Sequence, residues 1–306
     1  MRIAFAGTPA VAVPTLQALV AAGHDVAVVI TRPDAPLGRK RVLTPSPVAV
    51  AAEALGIPVV KAARLDDEAT AAIVGFDVEL GVIVAYGGLV REPLLSAPTH
   101  GWINLHFSLL PLWRGAAPVQ RSMMAGDAVT GIAVFQLVAA LDAGDIFASH
   151  EVPVPDDATA GEFLDELAVL GAPIVAGVVS DIEAGTALAV PQKGEASVAA
   201  KLEREDGRIN WNQSAAAVYA QLRGVTPEPG AFTTIAGTPL KVLRAARSDS
   251  EKRPAPGEIY LDGKAVVIGT ADVPLHLVTV QPTGKAAMPA ADWWRGLRTE
   301  SLKAGS

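Results

Sequence analysis

Two kinds of apolar pattern alternate along the first half of the chain. Short unbroken runs, RIAFAG (2–7), DVAVVI (25–30), VELGVIVAYGG (78–88) and WINLHF (102–107), read as strands buried on both faces. Between them lie helical stretches. TLQALVAAGH (15–24) closes near Gly23, and SPVAVAAEALG (46–56) opens with Ser46 as cap and Pro47 at the first helical position. Strands of this type separated by helices predict an α/β fold, Rossmann-like and doubly wound, with a mostly parallel sheet. GIAVFQL (131–137) and DIFASHEVPV (145–154) add two strand-like runs, and a helix is expected from about Ala160 to Ala184.

Near residue 190 the pattern changes. AVPQKGEASVAAKLEREDG (189–207) is polar and mixed in charge, as a segment crossing a surface would be. After it come short strand-like runs with turn signals between them: GAFTTIAGTPLKVLRAA (230–246), GEIYLDGKAVVIGT (257–270) and PLHLVTVQP (274–282). They predict a small C-terminal β-barrel, with the helix-like stretch Ser214 to Val225 packed against it. The expected division is a catalytic domain over 1–189, a linker over 190–207 and a barrel domain over 208–306.

Composition fits two cores: 306 residues, half of them hydrophobic. The absence of cysteine excludes disulfides, thiolate metal sites and a thiol nucleophile. The N-terminal MRIAFAGTPAV breaks at Gly7 and Pro9 before any long apolar run, which argues against a signal peptide, and no run reaches the ~18 uninterrupted apolar residues of a spanning helix. A cytoplasmic protein without a membrane partner is expected.

The net charge of −7 at first speaks against a nucleic-acid partner. Its distribution changes that picture. From Lys201 onward there are 14 basic and 11 acidic residues, against 11 and 21 before it, and Arg32, Arg39, Lys40 and Arg41 crowd into ten positions of the acidic part.

Familiar cofactor motifs are missing. FAGTPAVAVP carries only Gly7 where a dinucleotide site would show G-x-G-x-x-G, a P-loop is absent, and the five histidines have no metal-binding spacing, so no metal is expected. INLHFSLLPLWRG (103–115) is different. The period of two puts Asn104, His106 and Ser108 on one face of a strand, at the end where open α/β sheets bind ligands. Downstream, LDAGD offers Asp142 and Asp145 in a loop. Ser108 lacks the sharp G-x-S-x-G turn of a covalent nucleophile. An amide donor beside a cationic imidazole suits an oxyanion formed when an external nucleophile attacks a carbonyl, so acyl transfer between two bound substrates is inferred.

INLHFSLLPLWRGAAPVQ with LDAGD resembles the motifs of folate-dependent formyltransferases. The fuller set, FAGTP, TRPDAPLGRKRVLTPSPV, VAYGG, WRGAAPVQRS and RINW, is similar to the branch of that family acting on methionyl-tRNA, over nearly the whole chain. The branch acting on phosphoribosylglycinamide shares the first motifs but stops near residue 200. The resemblance implies formyl transfer from 10-formyltetrahydrofolate to the methionyl α-amine of initiator Met-tRNA, without a metal, by a monomer. It matches Asn104 and His106 to the carbonyl-polarising pair and Asp142 to their supporting carboxylate. It matches Ser108, Leu109, Leu110 and Pro111 to the folate-binding segment, and Arg39, with Lys40 and Arg41, to a basic loop that enters the acceptor-stem region. The C-terminal barrel is then expected to be OB-like and to touch tRNA.

Three positions depart from the family pattern: Phe107 replaces a small residue, Leu112 a basic one, and Ala140 a glycine. Without a base at 112, Arg114 becomes the stronger candidate for a tRNA contact, a buried structural role being the alternative. Trp293 and Trp294 are expected to pack rather than stack on bases. Two other functions stay open on the residues alone: a formyltransferase for a sugar amine, and a non-catalytic RNA-binding protein on the same scaffold.

Overall fold

The computed structural model describes residues 1–38, 40–297, 299 and 301–305. Contacts divide it into two compact units, one of residues 1–118, 131–152 and 164–199, the other of 119–130, 153–163 and 200–306.

The first half of the chain runs β1 (Arg2–Gly7), α1 (Val13–Ala21), β2 (Asp25–Thr31), β3 (Ala35–Leu37), β4 (Val42–Thr44), α2 (Pro47–Ala54), β5 (Val59–Lys61), α3 (Asp67–Val74) and β6 (Leu80–Val84). It continues with β7 (Trp102–His106), β8 (Arg114–Gly115), α4 (Pro118–Ala125), β9 (Val129–Gln136), β10 (Ile146–Pro153), α5 (Ala160–Glu183) and β11 (Val198–Ala199). Seven strands form one sheet in the order β10-β9-β7-β6-β1-β2-β5. From β7 to β5 every pairing is parallel, and β9 joins β7 antiparallel, with Asn104 opposite Phe135 and His106 opposite Ala133.

The unbroken apolar runs are central strands: Ile3 to Ala6, Val28 to Ile30, and Val82 with Val84 are buried on both faces. Ser46 caps α2 as its sequence suggests, its Oγ accepting from Ala49 N at 3.0 Å. The run 78–88 is shorter as a strand than its composition predicts. Ala85 takes φ +47°, ending β6, and Tyr86 turns inward so that its hydroxyl donates to the Ala62 carbonyl at 3.2 Å. Helix α5 is long and apolar enough to cross a bilayer, but half of that span is buried, including Leu167, Ala168, Val175 and Val179.

Two segments take more order than their sequences suggest. Residues 35–44 form an antiparallel hairpin, β3 with β4, that leaves Leu37, Val42 and Leu43 exposed. Residues 190–199 are stitched to the first unit: Val190 bridges Ile146, and β11 runs parallel to β8.

The second unit contains α6 (Ala215–Gly224), β12 (Phe232–Ile235), β13 (Thr238–Arg247), β14 (Glu258–Asp262), β15 (Ala265–Ile268), β16 (Leu275–Pro282), β17 (Met288–Pro289), α7 (Ala290–Leu297) and β18 (Ser301–Lys303). Its sheet runs β12-β13-β16-β15-β14-β18 with antiparallel pairings, and β17 adds to β16. A bridge from Ala304 to Ile235, with Gly305 N donating to Thr234 O at 2.8 Å, joins last strand to first and closes the barrel. Val242, Ile259, Val266, Leu277 and Trp294 fill it, and Trp293 and Trp294 meet edge to face.

Helix α6 packs on that barrel, capped by Ser214 and by Asp272, whose carboxylate accepts from Ala215 N at 2.7 Å. Earlier pieces of chain complete the unit. Tyr219 donates to Asp157 at 2.8 Å, Arg223 donates to Pro155 O at 2.7 Å, and a Cβ at Gly224 would stand 2.6 Å from Met124. Burial, then the hydrogen bond to Asp157, pushes the Tyr219 hydroxyl up to about 12, so it stays a neutral donor.

Candidate active site

Strand β7 ends with His106 inside the protein and Asn104 half-buried two residues earlier. The rest of the site is built by the chain that follows. Immediately after β7 the chain turns back: Ser108 Oγ donates to Leu112 O at 2.6 Å, which brings the Trp113 carbonyl within 2.8 Å of His106 Nε2. Because a carbonyl can only accept, Nε2 carries the hydrogen and Nδ1 is left with the lone pair in the neutral ring.

Nδ1 faces Asp142 Oδ2 at 4.0 Å, beyond direct hydrogen-bond reach but close enough for charge to act. Burial holds the His106 pKa below its ordinary 6.5, against the opposing pull of Asp142 and of the Trp113 carbonyl. The resting imidazole is therefore neutral at pH 7. Burial favours the neutral ring, in which Nδ1 is a base, where the sequence reading expects an imidazolium donor. Asn104 is the group free to donate, since its side-chain amide has no partner among the described residues.

Asp142 sits in a loop held from several directions. Its Oδ2 accepts from Gly115 N at 2.7 Å, and its own φ is +44°, a left-handed value that costs a non-glycine residue roughly 1 kcal/mol. Two residues on, a Cβ at Gly144 would lie 1.8 Å from the Gln136 carbonyl oxygen, so only glycine fits there. Asp145 is exposed and takes no part in the cluster.

The SLLP segment shapes the site mostly from within. Ser108 and Pro111 are buried, and Leu110 packs against Ala133 and Phe135, with Leu137 and Ile146 beside them. The Phe135 ring meets His106 edge to face with centroids 6.2 Å apart. The polar end of β7 therefore stands next to an apolar wall. Leu109 is only half-buried and is the side chain of this segment available to a ligand.

Arg114 donates from Nε and Nη2 to Gln192 Oε1, at 3.1 and 2.6 Å. Lys40 and Arg41 are exposed at the tip of the β3–β4 hairpin, away from such bonding, while Arg39 lies outside the described residues. Sequence reasoning missed the Trp113 carbonyl, the Gly115 N–H and Gln192. The first two are backbone groups whose identity leaves no trace in a residue pattern. Gln192 lies in a polar stretch that carries no periodic signal. No group of three or more potential metal ligands occurs among the described residues.

The chain matches the family model described as formyl transferase over residues 1–179 and the formyl transferase C-terminal domain over 201–298. It is 60% identical over 303 residues to a methionyl-tRNA formyltransferase of Clavibacter sepedonicus, covering 99% of both chains. It is 54% identical to one of Paenarthrobacter aurescens over 98% of both. Among solved structures, a sugar 3N-formyl transferase, WlaRD, in the presence of dTDP and 5-N-formyl-THF, superposes with a TM-score of 0.68 at 15% identity, covering 94% of this chain and 99% of that one. At that identity the likeness speaks to fold alone.

Proposed function

The chain belongs to the formyl transferase family, and we propose that it transfers the formyl group of 10-formyltetrahydrofolate to the α-amine of methionine on initiator Met-tRNA, giving formylmethionyl-tRNA for translation initiation. One observation carries this reading: both domains match relatives named for that reaction at up to 60% identity over nearly the whole chain. The site's donor set agrees with it. An unpartnered amide next to a buried imidazole suits a carbonyl under attack, and the half-buried Leu109 is the apolar side chain of the segment open to a flat heterocycle.

The folate supplies the formyl carbon and, at N10, the nitrogen that leaves. Asn104 donates to the formyl oxygen as negative charge builds on it. Such a donor is worth on the order of 100 to 1,000-fold in rate, roughly 3 to 4 kcal/mol. His106, neutral at the start, takes up on Nδ1 the proton that the attacking amine sheds and returns it to the departing nitrogen, so no net proton is gained or lost. While the proton rests on the imidazole, the Asp142 carboxylate 4.0 Å away offsets its charge. No step calls for a metal.

Lys40 and Arg41 on the hairpin, with Arg39 before them in sequence, are the bases assigned to the tRNA, and the basic excess from Lys201 onward adds to the attraction, so binding weakens as salt rises despite the net charge of −7. A cytoplasmic monomer suits work in translation initiation.

The test is formyl transfer from 10-formyltetrahydrofolate to Met-charged initiator tRNA by the wild type and by His106→Ala. Turnover by the first and near-complete loss in the second are expected. If the wild type instead formylates a small amine and leaves the tRNA untouched, the acceptor is wrong; if it formylates neither, the reaction is wrong.

A further inference from the structure

Gln192 has all four hydrogen-bonding positions of its amide engaged. Its Nε2 donates to the carbonyls of Asp142 and Gly144, both at 2.8 Å, and its Oε1 accepts the two N–H groups of Arg114. This fixes which end of the amide is which. It also ties together three stretches of chain: the loop carrying Asp142, the strand β8 that follows the catalytic turn, and the segment 190–199.

The neighbours of Gln192 repeat the pattern. Ser197 Oγ accepts from Trp113 N at 2.8 Å, its carbonyl accepts from Arg114 N at 2.9 Å, and the Ala199 carbonyl accepts from Ala116 N at 2.9 Å. Trp113, whose carbonyl meets His106, has φ +59°, and Asp142 has φ +44°. Two non-glycine residues in left-handed conformations flank the imidazole, and such geometry persists only where the surroundings over-determine it. The segment 190–199 supplies that constraint, and Gln192 is the one side chain in it that bonds to both sides.

We propose that Gln192 is a positioning residue for formyl transfer: it holds the Asp142 loop and β8 in register, so that the Asp142 carboxylate stays beside His106 Nδ1 throughout the proton's residence there. The role rests on the proposed function for its catalytic meaning, but the positioning itself is visible in the resting protein. Among the described residues Asp142 is the charged group acting on His106; from the turn before β8 the ring faces the Trp113 carbonyl, and from β9 the Phe135 ring. Displacing the carboxylate therefore lowers the affinity of His106 for its proton.

The experiment uses the full chain with Gln192→Met, which keeps length and loses all four bonds, and Gln192→Ala as the second variant should the first fail to fold. His106 is titrated by NMR in each, assigned by its absence in His106→Gln, and compared with Asp142→Asn. The expected result is a downward shift of the His106 midpoint in the Gln192 variant, in the same direction as in Asp142→Asn. Adding the Gln192 change to Asp142→Asn should produce no further fall. Turnover should drop on the order of 100-fold, as misplacement by about 1 Å typically costs, with KM for tRNA and folate held. An unchanged or raised midpoint, or a loss expressed in KM alone, overturns the proposal. Because the titration needs no substrate, it decides the positioning claim even if the wild type proves to formylate something else.

Discussion

The turn from Phe107 to Gly115 and the hairpin from Ala35 to Thr44 lie in the same unit and are built on opposite principles. In the turn, Ser108 Oγ, the Trp113 carbonyl and the N–H groups of Trp113, Arg114 and Gly115 each have a partner, several from chain 27 to 84 residues away. The hairpin is held by its own short ladder and by local bonds, Arg41 N to Gly38 O at 3.0 Å and Thr44 Oγ1 to Val42 O at 3.0 Å. It spends no apolar side chain on a core: Leu37, Val42 and Leu43 are all well over half exposed. The proton relay proposed for the turn needs its atoms fixed before the substrate arrives, whereas the tRNA contact proposed for the hairpin needs charge and reach. Changes in the turn should therefore act on kcat, and changes in the hairpin on KM.

The largest expected break is Asn104→Ala, which removes the donor proposed for the formyl oxygen. It should lower kcat on the order of 100 to 1,000-fold with KM for tRNA nearly unchanged; steady-state kinetics showing activity within a factor of a few of wild type would remove Asn104 from the mechanism. Next is Gly144→Ala, whose new methyl meets the Gln136 carbonyl at 1.8 Å. Urea unfolding should show a loss of roughly 1 to 3 kcal/mol, the usual cost of overpacking, and turnover should fall with it because the Asp142 loop must shift. A variant of full stability and full rate would mean the loop is looser than its contacts imply.

Replacing Lys40 and Arg41 together by Ala should raise KM for tRNA and spare kcat. It should also flatten the salt dependence of binding by a slope of about 0.9 for each phosphate that the hairpin no longer neutralises. If kcat falls instead, the two regions are not separate in function.

The smallest effect concerns pH. Burial keeps the folded His106 below its ordinary 6.5, so the unfolded chain binds a proton that the folded one refuses. Stability contributed at this site is present above 6.5 and declines as pH falls below it. The gap in Tm between pH 7.5 and pH 5.5 should therefore narrow in His106→Gln; an equal gap in both proteins would place the acid sensitivity elsewhere.

The same contrast explains what could be read from the sequence. β1 and β2 were legible because a strand buried on both faces has no choice but to be apolar throughout, and the start of α2 because Ser46 and Pro47 are local signals. Asn104 and His106 could be paired from the period of two alone. Asp142 could be named as a candidate carboxylate, but its role beside His106 came through resemblance, since nothing in LDAGD says which strand it will face. The hairpin escaped because its apolar residues point to solvent and leave no alternation, and helix α4 because QRSMM has no clear apolar stripe. The segment 190–199 read as surface-crossing because its bonds are to residues 44 to 86 positions away.

The second unit draws on three separated pieces of chain, and that arrangement sets a timetable at the ribosome. Helix α4 emerges early, yet Gly224, the residue that receives Met124 and Gln120, follows about 100 residues later. At 5 to 20 residues per second the wait is roughly 5 to 20 s. Asp157 likewise waits for Tyr219 and Pro155 for Arg223. The nascent enzyme thus carries unmated helix and loop surface until the barrel is nearly complete, and the closing bond, Gly305 to Thr234, joins residues about 70 positions apart. A slowed ribosome lengthens the interval in which that surface is open to chaperones and proteases, so the yield of this protein should be more sensitive to pauses between residues 130 and 224 than to pauses before them.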